Sequence, residues 1–287
     1  MKSRPKVIIL GGKRGLLGMA LSHIFKQKSC YEIIIHGKED FDVLDFPRLK
    51  EFLLFHRPDI VINSISYNLV DNAETSRDKA RELNVVLVER LVEYLVPINS
   101  HLVHFSSSLI FDGKKNSPYV EEDTPSPLGF YGKTKLEGER VILKGGLKRF
   151  LIIRTSWLFG PWRPNFVQHV IETSREKKVL SAIHDQVGSP TYTLDLALYT
   201  HLLLSHNSTG IFHVCNNGEA TWCELATETL NILGRHCKVQ PITSLLYRQR
   251  AKRPPYGVLD TSKFTQMTGH RPRPWIMALR EFLFSSL

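Results

Sequence analysis

The first thirty residues constrain the fold more strongly than any other part of the chain. An apolar run at residues 6–10 leads directly into a glycine-rich segment and then into a helical pattern that extends to about residue 28. A buried parallel strand, a glycine-rich turn and a helix, in that order, form the pyrophosphate-binding unit of dinucleotide-binding folds. The glycines permit the tight turn and a close approach to phosphate, and the helix amino terminus supplies N–H groups. We therefore expect this segment to bind a dinucleotide cofactor through Gly12, Lys13, Arg14, Gly15, Leu16, Leu17 and Gly18.

Strand and helix patterns alternate through the rest of the first half. They fall at residues 32–36, 47–56, 59–63, 74–95 and 101–106. Repeated βα units with apolar strands predict an α/β protein with a doubly wound, Rossmann-like parallel sheet. We assign residues 1–160 to this dinucleotide-binding domain.

The second half has shorter and less regular segments. Helical spacing occurs at residues 165–177, 193–204 and 221–233, and short apolar runs typical of strands occur at 211–214 and 239–242. We expect residues 161–287 to form mainly a smaller α/β substrate-binding domain, interleaved with the last strands of the sheet.

Composition excludes several classes of protein. The chain has 287 residues, of which 42% are hydrophobic, so it can bury a substantial core. No apolar run approaches the roughly 20 residues of a membrane span, and the amino-terminal run is too short for a signal peptide. We expect a cytoplasmic protein without membrane insertion. The four cysteines lack metal-site spacing, so no metal is expected. The net charge of +10 comes from scattered residues, which favours a solvated surface that attracts small anions over a nucleic-acid interface.

The cofactor preference depends on the residues that follow the second predicted strand. About 20 residues after the glycines, an NAD site would place an acid on the ribose diol, whereas this chain has Gly37-Lys38. A lysine there, together with the two basic residues of the glycine-rich segment, suits a 2′-phosphate, so we expect NADPH. Because Glu39 and Asp40 follow immediately, NADH stays open. Further cofactor contacts are expected after the strands, at Asp42, Val43, Ser64, Ile65, Ser66 and Tyr67.

The segment Tyr131-Gly132-Lys133-Thr134-Lys135 carries the predicted chemistry. In a helix, the phenol of Tyr131 and the ammonium of Lys135 lie on one face and can enter one pocket. A nearby lysine charge favours the phenolate, so we expect the pKa of Tyr131 to move from about 10 towards the working range, making it a proton donor. Ser107 closes an apolar run, as expected of a hydroxyl at the carboxyl end of a buried strand. Taken alone, this spacing is common by chance.

Several motifs in collinear order resemble the dTDP-4-dehydrorhamnose reductase family of extended short-chain dehydrogenases. They lie at residues 63–74, 106–113, 131–135, 154–160, 185–191 and 259–263, with Pro254, and so span nearly the whole chain. The resemblance implies that a nicotinamide cofactor delivers hydride to the 4-keto carbon of a nucleotide-diphospho-deoxysugar while the tyrosine protonates the oxygen. It implies catalytic roles for Ser107, Tyr131 and Lys135, of which Tyr131 and Lys135 also contact the cofactor.

The resemblance also implies a set of substrate contacts, and one of them departs from the family pattern. Where Asp-Tyr is common in the family, this chain has Ser108-Leu109, which removes a carboxylate and a phenol from the sugar pocket. The identity of the sugar is therefore open. Residues 243–257 are rich in basic side chains and form either a loop that covers the substrate or a plain surface loop. The implied substrate contacts are Asn68, Val70, Ser108, Leu109, Trp157, Asn165, Phe166 and Arg253.

Three functions remain in competition. The first is a reductase of a nucleotide-linked 4-keto-6-deoxysugar that supplies surface-glycan synthesis. The second is a binding protein that resembles the regulatory subunit of methionine adenosyltransferase, which keeps much of the same fold. The third is a reductase or epimerase of a different nucleotide sugar, which Ser108-Leu109 keeps open. The Ser107, Tyr131 and Lys135 set argues for catalysis. The expected partner is a nucleotide-diphospho-sugar, and a homodimer is left open.

Overall fold

The computed structural model of the chain describes residues 4–247 and 249–285. The outer bounds of the two predicted domains, residues 1 and 287, and residue 248 of the predicted basic loop lie outside the described residues. The strands, in chain order, are β1 (Lys6–Leu10), β2 (Glu32–His36), β3 (Ile60–Asn63), β4 (His101–Ser107), β5 (Phe150–Thr155), β6 (Leu158–Phe159), β7 (Val179–Ile183), β8 (Val187–Gly188), β9 (Thr191–Tyr192), β10 (Gly210–His213), β11 (Ala220–Thr221) and β12 (Lys238–Ile242).

Helices cover both faces of the central sheet, and further helices pack together in the carboxyl-terminal half. A π-helical segment (Glu82–Val86) joins two of them, and a short 3₁₀ turn (Ser108–Ile110) follows β4. The α-helices are α1 (Leu16–Lys26), α2 (Phe46–His56), α3 (Val70–Ala73), α4 (Arg77–Arg81), α5 (Leu87–Leu95), α6 (Phe130–Lys144), α7 (Phe166–Glu176), α8 (Thr193–Ser205), α9 (Trp222–Ile232), α10 (Ser262–Thr268) and α11 (Trp275–Ser285).

Six parallel strands form the central sheet in the order β2-β1-β3-β4-β5-β10. The chain winds one way from β1 to β2 and the other way from β3 onwards, so the order reverses between β1 and β3. Such a switch point opens a crevice at the carboxyl ends of the strands, where α/β proteins bind ligands. The predicted doubly wound, Rossmann-like sheet is confirmed.

Burial on both faces of the sheet explains why the strands are apolar throughout. Successive side chains of a strand point to opposite faces. Val7 and Ile9 pack into one core with α1 and α8, whereas Ile8 and Leu10 pack into another with α2 and α5. Because neither face meets solvent, both sets of positions must be apolar, and the sequence reads as a continuous hydrophobic run.

The predicted helix at residues 74–95 is interrupted in the structure. The helical stretch begins at α4, and the π-helical segment places Asn84 towards the loop that follows β3 and towards α6. The Asn84 amide accepts the Tyr67 N–H at 2.8 Å and donates to the Thr134 hydroxyl at 2.9 Å. The hydrophobic spacing does not reveal this insertion, because the apolar residues on either side continue to face the core.

The carboxyl-terminal half contributes to two parts of the molecule. Helix α8 and strand β10 pack with the sheet, α8 against α1 and β10 beside β5. Helices α7 and α9 contribute to two further cores, one shared with α11 and the other with the parallel β7/β12 pair. Strand β7 and helices α10 and α11 were not predicted from the sequence.

Candidate active site

A cavity of about 780 Å³ lies at the carboxyl ends of β1, β3, β4 and β5, at the switch point of the sheet. It extends from the glycine-rich turn to the first turn of α9 and the segment before α10. A cavity of this size suits a small-molecule ligand. All but five of the sequence-predicted site residues line this cavity. The predicted residues that line it are Arg14, Gly15, Leu16, Leu17, Lys38, Asp42, Val43, Ser64, Ile65, Ser66, Asn68, Val70, Ser107, Ser108, Leu109, Tyr131, Lys135, Trp157, Asn165 and Arg253.

The glycine-rich turn has the geometry that a pyrophosphate requires. Gly11 has a φ of +80°, which favours glycine, and a Cβ on Gly18 would overlap the carbonyl oxygen of Gly11. No side chain caps α1 at Gly15, and its first turn contains no acid, so its amino-terminal N–H groups face the cavity without a competing carboxylate. These features fit the diphosphate of a dinucleotide.

The three predicted 2′-phosphate cations are each paired with an acid. The amine of Lys13 lies 2.6 Å from Asp40, the guanidinium of Arg14 lies 3.2 Å from Glu39, and the amine of Lys38 lies 3.6 Å from Asp42. The pairs are partly exposed and therefore contribute little to stability. They position three cations beside the end of β2, together with carboxylates that could accept from ribose hydroxyls.

Tyr131 and Lys135 lie on α6, and both line the cavity beside Ser107 at the end of β4. The N-cap residue of α6, Gly129, has no side chain to cap the helix, and the carboxylate of Glu74 accepts the Phe130 N–H at 2.8 Å instead. The predicted convergence of the phenol and the amine in one pocket is confirmed.

The predicted direction of the Tyr131 pKa shift is wrong. Burial of the phenol raises its pKa to about 12, and the interaction with the Ser107 hydroxyl opposes this only in part. Burial also lowers the pKa of Lys135 to about 8, against the attraction of Glu139. The sequence reasoning included the charge of the lysine but not the desolvation of the phenol, which dominates here. Tyr131 therefore remains protonated throughout the neutral range and can donate its proton.

Glu139 is fixed one helical turn beyond Lys135. The guanidinium of Arg154 donates to both oxygens of this carboxylate, at 3.0 and 2.7 Å, and both side chains are buried. A bidentate pair of this kind holds its members in one orientation. The positive charge of Arg154 thus weakens the attraction that Glu139 exerts on the ammonium of Lys135.

Aromatic side chains form the wall at the far end of the cavity. Trp157, whose backbone has a φ of +45°, stacks on Trp222 with ring centroids 3.6 Å apart. Phe166 packs edge-on against Trp222 and does not line the cavity. The amide of Asn165 caps α7 and donates to the carbonyl of Gly160, so its hydrogen-bonding groups are already used.

Arg253 reaches the cavity from the segment before α10. Its two terminal nitrogens donate to the two carboxylate oxygens of Asp71 in α3, at 3.0 and 2.7 Å. The backbone N–H of Ala251 donates to the same carboxylate at 2.9 Å. These bonds hold the pKa of Asp71 below its usual value, so its charge persists at neutral pH.

Five predicted site residues do not line the cavity. Gly12 packs against Ser22 and Ile35, which explains its lack of a side chain. Tyr67 is held through its backbone by the amide of Asn84. The five are Gly12, Lys13, Gly18, Tyr67 and Phe166, and their binding roles remain predictions.

Sequence reasoning missed several residues of the cavity wall. Trp222 and Gln186 line the cavity although they come from distant parts of the chain, and the motif at residues 185–191 does not by itself assign Gln186 to the site. Ser106 is the penultimate residue of β4 and Thr155 the last residue of the neighbouring β5, and their buried hydroxyls have no hydrogen-bond partner within the described part of the chain. Hydroxyls at the ends of two adjacent buried strands were the signal that could have revealed this pair.

Comparisons with known proteins identify the family. The profile of the RmlD substrate binding domain matches residues 6–286. The spore coat polysaccharide biosynthesis protein SpsK of Bacillus subtilis (strain 168) is 36% identical over 276 residues, which cover 96% of each chain. A probable dTDP-4,6-dihydroxy-2-methyloxan-3-one 4-ketoreductase of Streptomyces antibioticus is 35% identical over 277 residues, covering 95% of this chain and 93% of that protein.

The chain belongs to the RmlD, or dTDP-4-dehydrorhamnose reductase, family. The crystal structure of dTDP-4-dehydrorhamnose reductase from Bacillus anthracis str. Ames in complex with NADP superimposes with a TM-score of 0.94 at 28% identity, covering 99% of this chain and all of that one. The resemblance drawn from the motifs is confirmed. The RmlD match includes both the glycine-rich turn and the aromatic wall of the cavity.

Two further observations concern the described residues. Among residues 4–247 and 249–285, no helix has the length and apolar character needed to cross a bilayer. The same residues contain no cluster of three or more His, Cys, Asp or Glu side chains able to hold a metal ion.

Proposed function

We propose that this chain reduces the 4-keto group of a dTDP-linked deoxysugar, dTDP-4-dehydrorhamnose or a close relative, with NADPH. The observation that carries the proposal is one cavity that contains Ser107, Tyr131 and Lys135 and continues into the glycine-rich turn. Membership of the RmlD family makes the chain an NAD(P)H-dependent oxidoreductase. The NADP in the Bacillus anthracis relative supports NADPH as the cofactor.

NADPH, when bound, supplies the hydride, and residues of the chain supply the rest of the chemistry. The glycine-rich turn and the amino terminus of α1 would hold the diphosphate, and the paired cations beside β2 would hold the 2′-phosphate. Tyr131 donates its proton to the alkoxide that forms when the carbonyl carbon is reduced. Ser107 orients the carbonyl oxygen, and the charge of Lys135 stabilises the phenolate that remains.

For the identity of the sugar, a specific observation favours a second candidate substrate. Leu109 lines the cavity with an apolar side chain where the family commonly has a tyrosine, next to Ser108 in place of an aspartate. A sugar with fewer hydroxyls near this wall would bind with fewer unpaired polar groups. The Streptomyces antibioticus relative, named for a different dTDP-linked ketosugar, supports a close relative of dTDP-4-dehydrorhamnose as the second candidate.

Several wider features belong to the same proposal. Residues 1–160 form the cofactor-binding part, and residues 161–287 contribute mainly to substrate binding. A role in the supply of surface-glycan precursors follows from the reaction, and the reaction would take place in the cytoplasm. A homodimer stays a prediction.

A panel of dTDP-linked 4-ketosugars, assayed by the loss of NADPH absorbance, tests the proposal. We expect turnover with at least one sugar, faster with NADPH than with NADH, and turnover lower by about 10²-fold or more in the Tyr131→Phe variant and also reduced in Lys135→Met at matched enzyme concentration. NADPH titration of the same proteins shows whether each variant still binds the cofactor. NADPH binding without oxidation in the presence of every sugar would instead support the regulatory, non-catalytic function.

A further inference from the structure

Three buried polar side chains, Asn63, His104 and Lys135, form a chain of contacts from β3 through β4 to α6. Asn63 ends β3, His104 is its direct partner in β4, and the two pair side by side in the sheet. The amide nitrogen of Asn63 lies 3.3 Å from Nδ1 of His104, and Nε2 of His104 lies 3.4 Å from the amine of Lys135. All three residues are at most 2% exposed. Because these side chains are almost fully buried, the direction of each hydrogen bond has an energetic consequence.

The direction of the first bond is fixed by the backbone. The N–H of Ile65 points at the side chain of Asn63 at 3.1 Å and can only donate, so the oxygen of the amide must face it. The NH₂ group of Asn63 is then the part that faces His104. It donates, and Nδ1 of His104 accepts.

The second bond follows from the charge of His104. Burial and the neighbouring lysine lower the pKa of His104 well below its usual value, so the ring is neutral. A neutral imidazole carries one proton. Because Nδ1 accepts from Asn63, that proton lies on Nε2, and Nε2 donates towards the amine of Lys135.

An ammonium has no lone pair with which to accept this bond, whereas a neutral amine does. If Lys135 were charged, its ammonium and the Nε2–H of His104 would both be donors, and no hydrogen bond could form between them. To accept from the ammonium, His104 would have to move its proton to Nδ1 and Asn63 would have to turn its amide, which breaks the bond to Ile65. We propose that Asn63 and His104 act as a positioning pair that favours the neutral amine of Lys135 over its ammonium.

Other charges around Lys135 act with or against this pair. Tyr131 and Glu139 lie on the same helix, and Arg154 on β5 pairs with Glu139. Beyond Arg154, His213 lies at 3.4 Å, and its backbone N–H donates to Glu121. Within residues 4–247 and 249–285, Glu139 is the acid whose charge favours the ammonium, and that charge is balanced by Arg154. The neutral pair on the strand side is thus the main specific partner of the amine.

The consequence for turnover rests on the proposed reductase function. When Tyr131 gives its proton to the substrate, a phenolate remains. The ammonium of Lys135 can return a proton, after which the phenol is restored and the lysine is a neutral amine. A partner that accommodates the amine makes the ammonium a stronger acid, and this favours that transfer.

NMR on the intact protein without substrate tests the pair directly. In ¹⁵N-histidine-labelled protein, the signal of His104 is identified by its loss in the His104→Gln variant. We expect the Nε2–H tautomer, without titration between about pH 6 and pH 9. An Nδ1–H tautomer, or protonation of the ring in that range, would overturn the proposal.

The titration of Lys135 provides the second measurement. With labelled lysine and Lys135→Met as the assignment control, we expect His104→Phe to raise the proton affinity of Lys135 roughly two- to tenfold, because one hydrogen bond to the amine is lost. His101→Phe is the matched control, since His101 is also a buried histidine of β4 and makes no hydrogen bond to Lys135. An unchanged titration in His104→Phe, or an equal shift in His101→Phe, would refute the pair. If His104→Phe fails to fold, the wild-type tautomer decides. Neither measurement depends on turnover, so failure of the reductase function would be seen separately.

Discussion

Tyr131 carries the proton on which the proposed chemistry depends, and phenylalanine removes that proton while keeping the ring. We expect Tyr131→Phe to lower turnover by about 10²–10⁴-fold, the usual contribution of a positioned general acid. NADPH affinity should be nearly unchanged, because the glycine-rich turn and Lys135 are untouched. Tyr94→Phe is the control, since Tyr94 is buried on α5 and does not line the cavity. Steady-state kinetics and NADPH titration give the two readouts, and near-native turnover would place the proton donor elsewhere.

At this scale, the sequence predicts which residues meet but not the environment in which they meet. The spacing of Tyr131 and Lys135 places both in one cavity, as observed. The direction of the tyrosine pKa depends on burial, which arises from the packing of α6 against β4 and the turn that follows it. The acids that pair with Lys13 and Lys38 were visible in the sequence, but their partners depend on the path of the loop after β2.

Helix α6 approaches its neighbours through glycines, and this approach sets the position of Tyr131. A Cβ on Gly132 would overlap the carbonyl oxygen of Leu109, and one on Gly138 would lie 2.5 Å from the carbonyl oxygen of Asn84. Both obstacles are backbone atoms and cannot rotate away. The helix therefore lies against the turn after β4 more closely than any residue with a side chain would allow.

Gly132→Ala should consequently shift α6 away from that turn. We expect a destabilisation of about 1–3 kcal/mol, typical of overpacking, together with a loss of turnover, because Tyr131 moves relative to Ser107. Lys133→Ala is the matched control in the same helix turn, since Lys133 is exposed. Denaturant unfolding and initial rates measure the two effects. Equal behaviour of the two variants would show that the close approach is not required.

Among the elements, those with a strong periodic pattern were predicted well. Strands β1 and β2 have the predicted bounds, because their apolar runs are continuous and end at glycine or polar residues. The π-helical segment was invisible because its cause, the bonds of Asn84 to Tyr67 and Thr134, joins residues far apart in sequence. Helix α11 was missed although it is amphipathic, since its buried face packs against elements that are distant in sequence, among them α9 and β9.

For the whole molecule, the alternation of strands and helices was enough to predict the sheet, but not how the two halves of the chain share it. Strand β10 lies beside β5 and α8 covers the face that α1 also covers, so the second half completes the first. The contacts that hold this arrangement are long-range. For example, the backbone N–H of His213 in β10 donates to the carboxylate of Glu121 in the first half at 2.7 Å. No local pattern encodes such a pairing.

The Arg253–Asp71 ion pair links the two halves of the chain at the cavity wall. Substitution of Arg253 therefore tests whether the second half contributes to substrate binding. Arg253 is largely buried and is held in the cavity wall by α3, so it can present its remaining N–H groups to an anionic ligand without a large loss of side-chain freedom. If this guanidinium contacts the diphosphate of the sugar nucleotide, its loss removes charge-assisted hydrogen bonds of about 1.5–3 kcal/mol. We expect Arg253→Ala to raise KM for the sugar nucleotide by roughly 10–100-fold.

NADPH affinity should change little in Arg253→Ala, because the hydrogen bonds of Arg253 within the described residues go to Asp71 and Ala251 and to none of the predicted cofactor residues. Arg250→Ala removes the same charge from an exposed position of the same segment and serves as the control for long-range electrostatics. Steady-state kinetics at two salt concentrations separate the contributions, since a general field effect weakens with salt whereas a buried contact persists. A rise in KM of equal size in both variants would show that the basic segment acts only through its overall charge. A fall in kcat with KM unchanged would show that Arg253 serves the geometry of the cavity and does not hold the diphosphate.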